Sequence, residues 1–278
     1  MIISVASGKG GTGKTTVSTN LALSIEDCDV EEPNAHLFIN PRMEYRETVS
    51  TFVPKVDAEA CSGCGKCAEI CRFNALTVIA GKVMVFPELC HSCEGCKVVC
   101  PEDAVLDASR ELGIIERGNR DSITFINGRM RIGEAMAPPL IREVREKIDK
   151  TELTIIDAPP GTSCPVIAAM KNVDFILLVT EPTPFGLHDL QLAVEAVKLL
   201  GIPHGLVINR SDMGDDKVLS YARAENIPVL LEIPFDRTIA EIYSKGQMLV
   251  EEQAVWKKSF QELYQSIVSI VESSRVSQ

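Results

Sequence analysis

The chain has 278 residues, enough to bury a full core as one large domain or as one domain with an insert. Its formal net charge of −11 argues against nucleic acid, because phosphate backbones require clustered Lys and Arg that this sequence does not show. No apolar run approaches the ~18 residues of a membrane span and no leader precedes the first strand, so a cytoplasmic protein without stable membrane binding is expected, whose ten cysteines would hold metal rather than form disulfides.

The apolar run Ile2 to Ala6 reads as a buried strand. The loop that follows fits G-x-x-x-x-G-K-[ST], with Gly8 and Gly13 ahead of Lys14 and Thr15. Gly8, Gly10, Gly11 and Gly13, with Thr12 among them, let successive N–H groups turn inward onto phosphate oxygens. Lys14 would bridge the β- and γ-phosphates and Thr15 would bind Mg²⁺. Thr15 to Leu23, including Thr16, reads as a helix with its N-terminus at the phosphates. Lys9, just after the first glycine, resembles the second lysine of the deviant Walker A loop in the MinD, ParA and nitrogenase iron protein superfamily. That resemblance implies a nucleotide-sandwich homodimer in which Lys9 reaches the other subunit's nucleotide.

Asp27-Cys28-Asp29 resembles the Asp-x-Asp segment after the second strand of MinD-type ATPases. The resemblance implies that Asp29 orients the attacking water and that Asp27 stands nearer the Mg²⁺ shell. A returning strand takes about five residues at ~3.3 Å each, yet only Ser24, Ile25 and Glu26 are available before Asp27. Either this strand is nearly absent or residues are missing between Leu23 and Asp27.

From residue 54 to 110 the character changes. Cys61-x₂-Cys64-x₂-Cys67-x₃-Cys71 recurs as Cys90-x₂-Cys93-x₂-Cys96-x₃-Cys100, and Ala75 and Ala104 keep the same offset, so a whole unit is duplicated. This is the bacterial two-cluster ferredoxin pattern, in which the fourth cysteine of each run ligates the other cube. Cys61, Cys64, Cys67 and Cys100 would hold one [4Fe–4S] cluster, and Cys90, Cys93, Cys96 and Cys71 the second. Zinc sites, the alternative, usually use cysteines in pairs. Arg72 replaces the proline expected after Cys71, which puts the local turn in question. His91, beside Cys90, reads as a solvent-facing loop histidine or a group tuning that cluster.

Beyond the insert, Ser122 to Ile126 reads as a strand and Asn127-Gly128 as a hairpin turn into Met130 to Ile132. Pro138 opens an amphipathic helix. Leu153 to Asp157 is a buried strand ending in an acid, the Walker B pattern, with Asp157 holding Mg²⁺ through water. Gly161 would offer its N–H to the γ-phosphate, making Asp157 to Cys164 a switch. Cys164 resembles the cluster cysteine of the nitrogenase iron protein but reads as a small buried residue, since Cys28 is the sole second thiol left. A strand ending at Asn209-Arg210 resembles the base-contacting segment of MinD-type ATPases. Asn209-Arg210-Ser211-Asp212 is also one change from the guanine-reading Asn-Lys-x-Asp, but the Arg at the lysine position, together with Lys9, favours ATP over GTP. Pro234 and Asp236 resemble the other wall of the base pocket. The C-terminal helix reads as core packing.

The whole chain resembles MinD-superfamily ATPases carrying an inserted two-cluster ferredoxin domain. The expected fold is α/β, a mostly parallel sheet with helices on both faces, with ATPase parts 1–53 and 111–278 flanking an α+β insert at 54–110. The resemblance implies ATP-gated electron transfer to an unidentified redox partner; the alternatives are a cluster carrier for an apo iron-sulfur protein, as in the Mrp and Nbp35 proteins, and MinD-like positioning.

Overall fold

A computed structural model describes residues 1–25, 29–31, 35–134, 136–149 and 151–276. Its strands are Ile2–Ala6 (β1), Asp29–Glu31 (β2), Arg42–Val56 (β3), Leu76–Ile79 (β4), Lys82–Val85 (β5), Val105–Arg120 (β6), Ile123–Met130 (β7), Thr154–Asp157 (β8), Phe175–Thr180 (β9), His204–Asn209 (β10) and Val229–Ile233 (β11). The chain forms two compact units. The first comprises Met1–Arg46, Glu116–Gly128 and Ile141–Gln278, the second Glu47–Ile115 and Arg129–Leu140.

In the first unit, strand order β11-β10-β9-β1-β8-β2-β7 is parallel throughout. Period two sorts its residues onto two faces. Ile3, Val5, Ile155, Leu177 and Val207 pack under the helices Lys14–Ser24 and Ala254–Val276, through Val17, Leu21, Phe260, Leu263 and Ile267. Ile156, Ile176, Leu178 and Ile208 meet the helices Cys164–Met170, Pro184–Leu200 and Lys217–Ala224 on the opposite face. The C-terminal helix thus spends its apolar stripe on the core, and among the described residues no helix is long and apolar enough to cross a membrane. Because the strands are parallel, their carboxyl ends and the loops that leave them gather along one edge.

The returning strand exists, but it is Asp29–Glu31 rather than a segment ahead of Asp27, with Asp29 level with Thr154 and Thr124. Asp29 therefore opens the strand instead of following it, and its backbone lies three residues short of the level of Asp157. Asp27 and Cys28, and hence part of the suspected omission between Leu23 and Asp27, lie outside the described residues. Asn127-Gly128 is no hairpin turn: β7 runs through it to Met130.

The second unit starts earlier than expected, at Glu47, ends later, at Ile115, and also takes in Arg129–Leu140. The added segment belongs there because Arg131 N–H donates to the Leu112 carbonyl (2.9 Å) and the buried Arg110 pairs with the buried Glu134. The unit is α+β: helices Lys66–Ile70 and Gly95–Val98, the antiparallel hairpin β4–β5, and a small core of Val53, Leu76 and Val105 with Cys67, Cys90 and Cys96.

Asp174, entering β9, ties the first strand to the last helix. It accepts from Ile2 N–H (2.8 Å) and pairs with Arg275 (2.6 Å). Burial would raise its carboxyl, but the Ile2 N–H, the Arg275 guanidinium and the N-terminal amine outweigh that and hold it below the usual range. A carboxyl acidified by folding stabilises above its unfolded pKa of about 3.9 and loses that contribution as pH falls further. Asp174→Asn should therefore cost about 1–2 kcal/mol at pH 7, with the gap to wild type shrinking below about pH 4 in denaturant titrations. An equal deficit at pH 3 would exclude the charge as its source.

Candidate functional site

Strands β1, β8, β9, β10 and β11 each bring a part of a site to the common edge. β1 ends at Ala6, level with Leu178, and Val5 is level with Asp157. Asn209 ends β10 level with Ile233 of β11. The loop after β1 needs its glycines for two different reasons. A Cβ on Gly8 would fall 2.1 Å from the Asp189 carbonyl oxygen, so the loop abuts the helix Pro184–Leu200. Gly13 has φ 92° and would place a Cβ 2.4 Å from Asn209 Nδ2.

Gly11, Gly13, Lys14, Thr15 and Thr16 line a cleft with ≈ 1090 Å³ of space open to solvent. Its other wall is Asn209, Arg210, Pro234, Phe235 and Asp236, joined by Ile239, Ala240 and Tyr243. Every residue placed in the base pocket by sequence lines this cleft. Asn209 is already partly engaged: its Nδ2 donates to the Thr12 carbonyl (2.9 Å) and its Oδ1 accepts from Arg210 N–H (3.0 Å). Asp236 caps the helix Arg237–Ser244 by accepting from Thr238 N–H (2.7 Å). The apolar wall of Ile239 and Tyr243 was missed by sequence reasoning, and its signal is their place on the helix that Asp236 starts.

Lys14 is buried, with Nζ 3.6 Å from Asp157 Oδ1. Both Asp157 oxygens are buried without a hydrogen-bond partner. A buried carboxylate in that state is costly, and a hydrated cation beside the phosphates is the group that would satisfy it. The donor set of Asp157 and Thr15 fits Mg²⁺ on this ground. Gly161 departs from expectation, since its N–H donates to the Ser7 carbonyl (2.9 Å) and is not free for a phosphate. Gly161, with φ 101°, would have to exchange that bond for a γ-phosphate, which gives the segment two alternative acceptors. Lys9 pairs with Glu181 at 2.5 Å within its own chain. Glu181, at the end of β9, received no role from the sequence. The Asp29 side chain lies outside what the structure describes. Cys164 is exposed at the start of its helix, rather than buried.

The second unit repeats its own geometry. Ala75 N–H points at Cys71 Sγ and Ala104 N–H at Cys100 Sγ, both at 3.3 Å. The Ala75 carbonyl accepts from Phe86 N–H and the Ala104 carbonyl from Asp57 N–H, both at 2.8 Å. Arg72 thus leaves its turn equivalent to the one containing Pro101. Cys61, Cys64, Cys67 and Cys100 line one cavity, with ≈ 330 Å³ of space when the part open to solvent is counted. Cys71, Cys90, Cys93 and Cys96 line a second, with ≈ 390 Å³ counted in the same way. Burial pushes the Cys67 thiol up and the Cys96 thiol up to about 11. His91 is exposed and stacks on Phe73, with ring centroids 3.6 Å apart. Among the described residues, no three His, Cys, Asp or Glu side chains converge to hold a single metal ion.

A family model described as the CobQ/CobB/MinD/ParA nucleotide binding domain matches residues 3–250, and the chain belongs to that family. An uncharacterized protein of Methanocaldococcus jannaschii is 30% identical over 262 residues, covering 90% of this chain and 92% of that one. The iron-sulfur cluster carrier protein of Aquifex aeolicus is 25% identical over 303 residues, covering 98% of this chain and 68% of the relative. Among solved structures, the septum site-determining protein MinD of Pyrococcus horikoshii, complexed with Mg-ADP, shares the fold with a TM-score of 0.58 and 19% identity, over 96% of this chain and 95% of that one.

Proposed function

We propose that this protein is a Mg²⁺-dependent ATPase that carries two [4Fe–4S] clusters in its second unit and works as a homodimer, its nucleotide state gating electron transfer. The observation that carries the reading is the division of eight cysteines into two cavities of four, each pairing a C-x₂-C-x₂-C run with the last cysteine of the other run. Single-ion sites need ligands about 2.3 Å from one point. These thiols line the walls of two cavities instead, as the four corners of a cube require. The N–H groups aimed at Cys71 and Cys100 would steady thiolate charge there. Their deprotonation would accompany cluster binding, which matters most for the buried Cys67 and Cys96 thiols. Such clusters supply one-electron chemistry when bound.

In the first unit Lys14 would neutralise the β- and γ-phosphates, while Asp157 and Thr15 would hold Mg²⁺ and the tyrosine-lined wall would take the adenine. The water-orienting role that resemblance gives Asp29 would need this residue at the carboxyl edge, three residues beyond the level its backbone holds in β2. Gly161 would report the γ-phosphate by trading the Ser7 carbonyl for it. Full ligation of both clusters by this chain's own thiols favours resident redox centres over clusters in transit. Similarity to the Aquifex cluster carrier favours the second reading, delivery of a cluster to an apo iron-sulfur protein.

Reduction potentials measured by anaerobic EPR titration without nucleotide, with MgADP and with a nonhydrolysable ATP analogue separate the two. A coupling of about 1 kcal/mol appears as roughly 40 mV for a one-electron centre. Equal potentials and equal electron-transfer rates in all three states would sink the gated reading and leave delivery.

A further inference from the structure

We propose that Glu181 is a positioning residue that stows Lys9 inside its own subunit and so sets how readily the ATP-bound protein dimerises. The proposal rests on the reading that Lys9 acts on the partner's nucleotide. Lys9 Nζ lies 2.5 Å from Glu181 Oε1, and the second oxygen of the same carboxylate takes Arg210 Nη1 at 3.1 Å. Glu181 is buried. One carboxylate therefore joins the signature lysine to the cation at the base wall.

The seat of Glu181 is rigid. Its carbonyl accepts from Thr183 N–H (2.8 Å), and the preceding Thr180 donates to the Gly186 carbonyl (3.0 Å). A Cβ on Gly186 would stand 2.2 Å from the Glu181 carbonyl oxygen and 3.2 Å from its Cγ, so the helix start is pressed against this residue. The carboxylate cannot follow Lys9 outward. An ammonium hydrogen-bonded at this distance has to break the pair before it can reach across a dimer, and a competing anion must draw it. A triphosphate offers more negative charge than a diphosphate. Arg210 stays behind and keeps Glu181 from becoming an unpaired buried charge, which holds down the cost of release. The pair is thus a built-in threshold against dimerisation without ATP.

Glu181→Gln keeps the shape and removes the charge. It should lower the protein concentration at half-dimerisation with a nonhydrolysable ATP analogue by about tenfold, read by analytical ultracentrifugation on cluster-loaded protein, and make MgADP support dimers as well. In a Lys9→Ala background the same substitution should do nothing, because the effect runs through the pair. Glu181→Asp, which withdraws the carboxylate but keeps its charge beside Arg210, should shift dimerisation in the same direction by less, and it serves if the glutamine variant does not fold. No shift in either variant, or a shift that persists without Lys9, overturns the proposal while leaving the trans reading standing. If Lys9→Ala alone leaves dimerisation and turnover at wild-type values, the trans reading itself fails and the proposal with it.

Discussion

Asp157→Asn should leave the folded protein intact and slow ATP turnover on the order of a hundredfold or more. The substitution is isosteric, so the four-residue strand it ends is not disturbed. It removes the negative charge that faces Lys14 at 3.6 Å in a buried site and replaces one of the two oxygens that no described protein group satisfies with an amide nitrogen. The exchange relieves a buried carboxylate that lacks hydrogen bonds but leaves the buried Lys14 without its counter-charge, so the nucleotide-free variant should fold yet melt lower than wild type. The gain in melting temperature on adding MgATP should shrink too, because binding stabilises in proportion to affinity for the folded state. Differential scanning fluorimetry with and without MgATP, beside a phosphate-release assay, reads both signs at once. Turnover within threefold of wild type, or an undiminished gain in melting temperature on adding MgATP, would show that Asp157 is a structural acid and that Mg²⁺ is held elsewhere.

What could be read from the sequence was what local chemistry dictates. The glycine loop, the acid ending β8 and the Asn-Arg ending β10 are each bound to a strand terminus, and parallel pairing carries those termini to one edge. The cysteine register was legible for the same reason, since short spacings wrap the backbone by themselves. Non-local pairing accounts for what was misread. Asn127-Gly128 carries a hairpin signal, yet Asn127 is buried and β7 runs on through it to Met130 beside its neighbour β6. β2 was expected ahead of Asp27, but the parallel neighbours β7 and β8 pair with Asp29–Glu31. Glu181 gave no motif at all. Its meaning comes from Lys9 and Arg210, each reaching it from a distant part of the chain.

Cys100→Ser is the substitution that tests the crossed ligation most directly. Cys100 follows the second C-x₂-C-x₂-C run, yet it lines the cavity of Cys61, Cys64 and Cys67. A hard serine oxygen is a poor ligand where thiolates are preferred, so the cluster of the first run should be lost or converted, and bound iron and labile sulfide should fall by about half. The cluster of Cys90, Cys93, Cys96 and Cys71 should keep its EPR spectrum, because none of its cysteines is touched. Cys71→Ser should do the reverse. The pseudo-symmetry of the unit makes the pair a fair comparison: each sulfur receives one N–H from an equivalent alanine at 3.3 Å, and the two alanines are both buried. Fold loss in one variant and not the other would therefore expose a difference the geometry does not contain. If Cys100→Ser instead removes the spectrum of the cluster bound by Cys90, Cys93 and Cys96, each run ligates its own cluster and the crossed assignment falls. Should the two signals vanish together, the two cavities would not be independent sites, and resident two-centre electron transfer would lose its structural basis.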